Sequence, residues 1–246
     1  MPTSRARELL SDFKTALEDA LGYRIFVVPR SHIVGLSLTD DIRTHGDSIR
    51  TIFDVGAHKG ETSLQFARSF PDADIFAFEP VAQNYNRIRK TLERENLTDR
   101  VRAVPLALGD RAGEAEINLS DFSSSHSIAN SQNRHDSTKI KIDKLDYFCD
   151  RNNIGSIDIL KVDTEGHDVK VLKGSENNLS DGRVQYVVCE VTLSDENEFF
   201  CTFENVRTYL KDQGFRFLAL YDQSLDWKEK RRHAFANALF FYDRRE

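Results

Sequence analysis

At 246 residues the chain is long enough for one sizeable α/β domain with at most a small appendage. Hydrophobic residues at 39% and charged residues at 30% describe an ordinary soluble protein, and a formal net charge of −6 argues against a nucleic-acid partner, whose phosphates attract clustered Lys and Arg. Cys149, Cys189 and Cys201 are odd in number and widely spaced without a C-x-x-C, so a disulfide framework or zinc site is not expected.

Residues 4–21 place Leu9, Leu10, Phe13, Ala16, Leu17, Ala20 and Leu21 at helical spacing, with Gly22 as a stop. This stretch is charged and amphipathic and has no apolar signal core. No stretch of the chain reaches the length of a membrane span. The expectation is a cytoplasmic protein. Residues 23–50 are less regular and carry His32, Asp40, Asp41 and His45, so they read as a cap segment that could cover a pocket.

From Thr51 to Pro80 the chain reads strand, glycine turn, helix, strand. The apolar run Ile52–Val55 leads into Gly56-Ala57-His58-Lys59-Gly60; a helix follows from about Glu61 to Phe70, and the run Ile75–Phe78 delivers Glu79. This is the first βαβ half of an open α/β sheet, in which ligands sit beyond the carboxyl ends of the strands. An acidic residue about 20 positions after such a turn is placed to bind ribose hydroxyls. The turn itself narrows the choice of nucleoside. It has G-x-x-x-G rather than G-x-G-x-x-G, with His58 where the second glycine of a dinucleotide fingerprint would fall. Asp54 and Glu61 bracket it and would repel a pyrophosphate, whereas they suit the ammonium and sulfonium of S-adenosylmethionine.

Further along, residues 83–96 form a charged helix with Tyr85, Ile88 and Leu92 inward, and Val101–Leu108 reads as a third strand. Glu114–Leu119 and Lys139–Ile142 alternate polar and apolar, which predicts an antiparallel hairpin excursion. Its serine-rich tip, FSSSHSIANSQNRHDS, contains Ser124 and His126 and is either a solvent loop or an acceptor-binding edge. Ile157–Val162 is a strand buried on both faces that delivers Asp163, Glu165 and His167, with a short helix from about Asp168 to Leu172 behind it. Val184–Val191 is a fifth strand carrying Glu190, Phe203–Leu210 a helix, and Phe215–Leu220 with Ala238–Tyr242 a closing antiparallel pair. Cys189 lies inside its apolar run as a core thiol, and the basic run Lys228 to His233 reads as a solvated face.

DVGAHKGETS, IFAFEP, AVPLALGDRAG and IDILKVDTEGHDVKVLKG, in that order, resemble the FkbM family of S-adenosylmethionine-dependent methyltransferases, from about Thr51 to Val191. The family usually shows Asn where this chain has His58. The resemblance implies a doubly wound, Rossmann-like methyltransferase sheet, mostly parallel with an antiparallel C-terminal strand. Residues 1–50 are expected to form an N-terminal helix and cap segment, and 51–246 the methyltransferase domain. The resemblance also implies methylation of a hydroxyl on a sugar, glycan or small natural product. The candidate cofactor residues are Asp54, Gly56, Ala57, His58, Gly60, Glu61, Thr62, Glu79, Pro80, Leu108 and Asp163.

Methyl transfer needs donor and acceptor held in line and, for an alcohol, a proton acceptor. Asp163, Glu165 and His167 are the candidate catalytic cluster, because alternation puts both carboxylates on one side of a strand end. Glu190 is either a pocket residue or half of an internal ion pair. A divalent metal on Asp163, Glu165 and Glu190 is chemically feasible, but no dedicated metal spacing supports it. Two other classes fit the same sheet: a nicotinamide-dependent oxidoreductase, and a catalytically silent nucleoside-binding module.

Overall fold

The computed structural model describes residues 34–45, 48–118, 137–193, 201–226 and 233–243. The expected helix at 4–21, the serine-rich tip with Ser124 and His126, and most of the basic run before His233 lie outside them. The chain from Val34 onward forms one compact unit.

Its centre is a seven-stranded sheet built from β1 (Thr51–Val55), β2 (Asp74–Phe78), β3 (Val101–Val104), β7 (Ile157–Val162), β8 (Val184–Thr192), β9 (Phe215–Asp226) and β10 (His233–Tyr242). The order is β3-β2-β1-β7-β8-β10-β9. Strands β1, β2, β3, β7 and β8 run parallel, and β10 is antiparallel to both of its neighbours. Order reverses between β1 and β7, so the crevice for a ligand opens beyond Val55 and Val162.

Parallel strands covered on both faces read as continuous apolar runs, and these do. Phe53 and Val55 of β1 join Phe78, Leu160, Val162 and Val187 in one core cluster. Ile52 joins Ile75, Ile159, Tyr186 and Val188 in the other. The helices α2 (Glu61–Ser69) and α3 (Ala82–Arg94) cover the second face with Phe66, Ile88 and Leu92. A helix that the sequence reading passed over, α4 (Leu145–Asn152), covers the first face. It inserts Phe148 among Phe53, Phe76 and Phe78, with ring centroids 4.9–5.9 Å apart. Aromatic pairs at such distances add about 0.5–1.5 kcal/mol each beyond area burial.

Three boundaries differ from the sequence expectation. The third strand is two, β3 and β4 (Ala107–Leu108), because Pro105 has no N–H for a ladder. β4 turns away to pair with β6 (Ser137–Asp143), and β6 pairs antiparallel with β5 (Gly113–Asn118). This three-stranded sheet is the expected hairpin excursion. The closing strands are longer than expected, at 12 and 10 residues. Within the cap segment, α1 (Leu38–Thr44) packs Ile42 into the core and is tied down by Asp41. The Asp41 carboxylate accepts from Gly35 N at 2.7 Å and from Tyr221 Oη.

Behind β7 come two short helices, α5 (Asp168–Lys173) and α6 (Glu176–Ser180), before β8; α7 (Phe203–Asp212) follows it. Gly174, at the end of α5, abuts the chain just after β4. A Cβ at Gly174 would lie 1.9 Å from the Gly109 carbonyl oxygen. Gly174→Ala is therefore expected to destabilise the fold by about 1–3 kcal/mol, the usual cost of overpacking. Urea denaturation measures this directly, and an unchanged midpoint would contradict the packing of α5 on that turn.

Candidate active site

The glycine turn is held from both sides. Gly56 N and Ala57 N donate to the Phe78 carbonyl at 3.1 and 3.0 Å, and Asp163 N donates to the Val55 carbonyl at 3.0 Å. Gly56 has φ +82°, and a Cβ there would sit 1.9 Å from the Asp163 carbonyl oxygen. Glycine is required because two strand ends meet. His58 adopts φ +49°, a region where Asn, Asp and His are the enriched non-glycine residues. The same geometry thus accommodates the Asn-to-His departure.

Glu79, 5% exposed, follows β2 and is clamped by backbone amides. His58 N donates to its Oε2 at 2.8 Å and Val81 N to its Oε1 at 2.9 Å. Burial raises its pKa, and these amides pull the other way.

Across the turn, β7 ends in Lys161-Val162-Asp163. Lys161, 6% exposed, donates to Asp163 Oδ2 at 2.8 Å and lies 3.8 Å from Asp54 Oδ1. Burial alone would discharge this ammonium, but Asp163 and Asp54 outweigh it and the pKa is raised. Asp54 is fully buried, accepts from Ser63 Oγ at 2.5 Å, and leaves Oδ1 without a hydrogen bond. Burial raises its pKa, opposed by Lys161 and Ser63.

A cavity of about 270 Å³ opens at this crevice. Its wall includes Gly56, His58, Glu79, Pro80, Leu108, Asp163, Glu165, His167 and Glu190. Five other candidates stand outside it. Asp54 and Ala57 are buried behind the turn, while Gly60, Glu61 and Thr62 begin α2, with Gly60 buried against Ile88. The wall also contains residues that the sequence reading did not single out: Val81, Asn84, Leu106, Ala107, Ile117, Ile140 and Thr164. Ile117 and Ile140 come from the hairpin. Their alternation was readable; their direction into this cavity was not. Thr164 Oγ1 is buried without a partner.

The motif after β7 turns sharply, with Glu165 at φ +50° and Gly166 at φ +87°. Asp168 folds back to accept from Thr164 N at 3.2 Å, and burial beside Asp163 pushes its pKa up to about 6. Glu165 and His167 stand at the cavity mouth within reach of solvent. Partial loss of hydration, with Asp163 and Asp168 near, raises Glu165; the same loss with Lys170 near lowers His167. Glu190, half-buried on β8, is pushed up to about 8 by desolvation and by the charges of Asp163 and Glu165. Among the described residues, no three His, Cys, Asp or Glu side chains are placed to hold a metal ion.

The sequence matches the Methyltransferase FkbM domain over residues 54–217, two thirds of the chain. The chain belongs to the FkbM methyltransferase family. It is 25% identical over 196 residues to Methyltransferase 1 of Beauveria bassiana, covering 72% of this chain and 75% of that one. The 2-O-methyltransferase NoeI of Sinorhizobium fredii is 26% identical over 151 residues, 55% of this chain and 61% of its own. The hexuronic acid methyltransferase AglP of Haloferax volcanii is 26% identical over 161 residues, 61% and 64% respectively. A crystal structure of an FkbM methyltransferase from Methylobacillus flagellatus superposes with a TM-score of 0.54 at 14% identity, over 79% of this chain and 44% of that one. That likeness is one of fold, the expected Rossmann-like methyltransferase sheet. Family membership also sets aside the oxidoreductase reading: the protein is a methyltransferase.

Glu190 holds its proton to about 8 in the folded FkbM domain, against an ordinary 4.5. Folding therefore takes up a proton between those values, and stability falls as pH rises through that window. Glu190→Gln is expected to stabilise the fold by about 1–3 kcal/mol at pH 9, after allowing for solvent screening, and by almost nothing near pH 4.5. Denaturation at several pH values reads this out, and a pH-independent difference would contradict the carboxylate crowding.

Proposed function

We propose that the chain transfers a methyl group from S-adenosylmethionine to a hydroxyl of a sugar, glycan or small natural product. The observation that carries this reading is the division of charge along one cavity wall. Glu79, after β2, lies on one side of the glycine turn; Asp163, Glu165 and Glu190, after β7 and on β8, lie on the other. A nucleoside bearing a cation matches that order. The cofactor supplies a methyl group on a sulfonium.

In this reading Glu79 accepts from the ribose hydroxyls with the lone pairs its two amides leave over. Gly56 lets the ligand approach the backbone, and Val81, Leu106, Ala107 and Leu108 give the base an apolar wall. Asp163, paired with Lys161 at 2.8 Å, faces the positive charge. Thr164 Oγ1 is an unpaired donor and acceptor for the same ligand. His167, its pKa lowered, stays neutral at pH 7 and is a proton acceptor, with Glu165 beside it. By their printed names one relative is a 2-O-methyltransferase and another a hexuronic acid methyltransferase, which supports transfer to oxygen and a glycan acceptor.

Calorimetry with S-adenosylhomocysteine tests the cofactor half. Glu79→Gln should lose roughly 1.5–3 kcal/mol of affinity, the scale of hydrogen bonds to a charged group. NAD should give no thermal shift; unchanged affinity in the variant would remove Glu79 from the site. The chemical half is tested by labelled methyl transfer. His167→Ala and Glu165→Ala should each slow turnover by about 10²–10⁴-fold with cofactor affinity kept. Full rates in both variants would place the proton acceptor elsewhere.

A further inference from the structure

We infer that the acceptor at this site is an uncharged hydroxyl compound, and that uronates and other carboxylate acceptors are rejected. The inference rests on the methyl-transfer reading above and adds the charge of the substrate. Among the described residues, the cavity wall holds four carboxyl groups, Glu79, Asp163, Glu165 and Glu190, and neither a lysine nor an arginine. Lys161 lies behind the wall and is engaged by Asp163 at 2.8 Å, and Lys170 stands outside the lining, its Nζ 3.5 Å from His167 Nδ1.

Three backbone donors of the wall are also taken. His58 N and Val81 N both donate to Glu79, and Thr164 N donates to Asp168. The wall imidazoles, His58 and His167, are disfavoured as cations by burial and by Lys59 and Lys170 respectively. An incoming carboxylate would therefore lose its hydration and find neutral donors such as Thr164 Oγ1, but no cation on the described wall. It would also join a group in which burial and mutual repulsion already keep a proton on Glu190.

The chemistry agrees with the electrostatics. With an alcohol, the acceptor oxygen forms its bond to the methyl carbon as the carbon–sulfur bond breaks. The bonding pair goes to sulfur, leaving S-adenosylhomocysteine, and the hydroxyl proton passes to a wall base. A carboxylate acceptor gives a methyl ester and has no proton to lose, so a wall rich in proton acceptors does nothing for it. The sulfonium, a cation, gains from the same carboxylates that an anion meets at a cost.

The test uses the full chain and labelled S-adenosylmethionine with matched pairs of acceptors, methyl glycosides and the corresponding methyl uronides. Calorimetry with S-adenosylhomocysteine comes first, so that failure of the methyl-transfer reading is registered before any acceptor is added. The neutral partner is expected to be preferred by roughly a hundredfold or more in kcat/KM, since like charges brought together cost several kcal/mol. Its labelled product should survive mild alkali, as an ether does. Glu190→Gln should narrow the preference only above about pH 8, where the native carboxyl is ionised. Equal or better transfer to the uronides, or a label released as methanol in alkali, would overturn the inference.

Discussion

Lys161 sits in the centre of the sheet, its ammonium 2.8 Å from Asp163 and 3.8 Å from Asp54. It joins two strand ends, because Asp54 belongs to β1 and Asp163 follows β7. Asp54 is drawn out of water, and desolvation of that kind outweighs attraction unless the geometry is good. Removing the ammonium would leave this buried acid facing Asp163 on the wall. Everything nearby follows from keeping this arrangement: Gly56 must lack a side chain where the Asp163 carbonyl approaches, and Ser63 must satisfy Asp54 from α2. The switch point is thus a structural ion pair and a ligand crevice at once.

One lysine cannot neutralise the whole group. Glu165, Asp168 and Glu190 crowd around Asp163, and the pKa values of all three are raised. Surplus negative charge of this kind costs the free fold stability and is the usual mark of a site arranged for a ligand. A cation in the cavity would relieve it. The hairpin completes the wall from outside the main sheet, bringing Ile117 and Ile140 over the crevice, so that apolar cover and carboxylate charge face one volume.

Much of this could be read from the sequence, and the gaps have physical causes. The glycine turn, the acid after β2 and the cluster after β7 are local features, fixed by strand ends and positive-φ positions that short motifs encode. Lys161 was missed because a lysine inside the run IDILKV looks like noise in a strand buried on both faces; only the sheet shows that Asp54 lies next to it. Asp54 was grouped with the ligand residues for its charge, whereas the pleat points it behind the turn towards Ser63. Pro105 should have split the third strand on its own, since it removes a ladder donor. Helix α4 is short and was overlooked, although Leu145, Phe148 and Cys149 carry its buried face. Gly56 was grouped with the cofactor residues; in the fold the Asp163 carbonyl already demands a glycine there.

A crystal structure of the chain with S-adenosylhomocysteine would test the central claim most directly. The account predicts ribose hydroxyls within hydrogen-bond distance of Glu79 and the sulfur on the far side of Gly56, facing Asp163, Glu165 and Glu190. A ligand bound away from the β1–β7 switch point, or with its sulfur turned from those carboxylates, would contradict it.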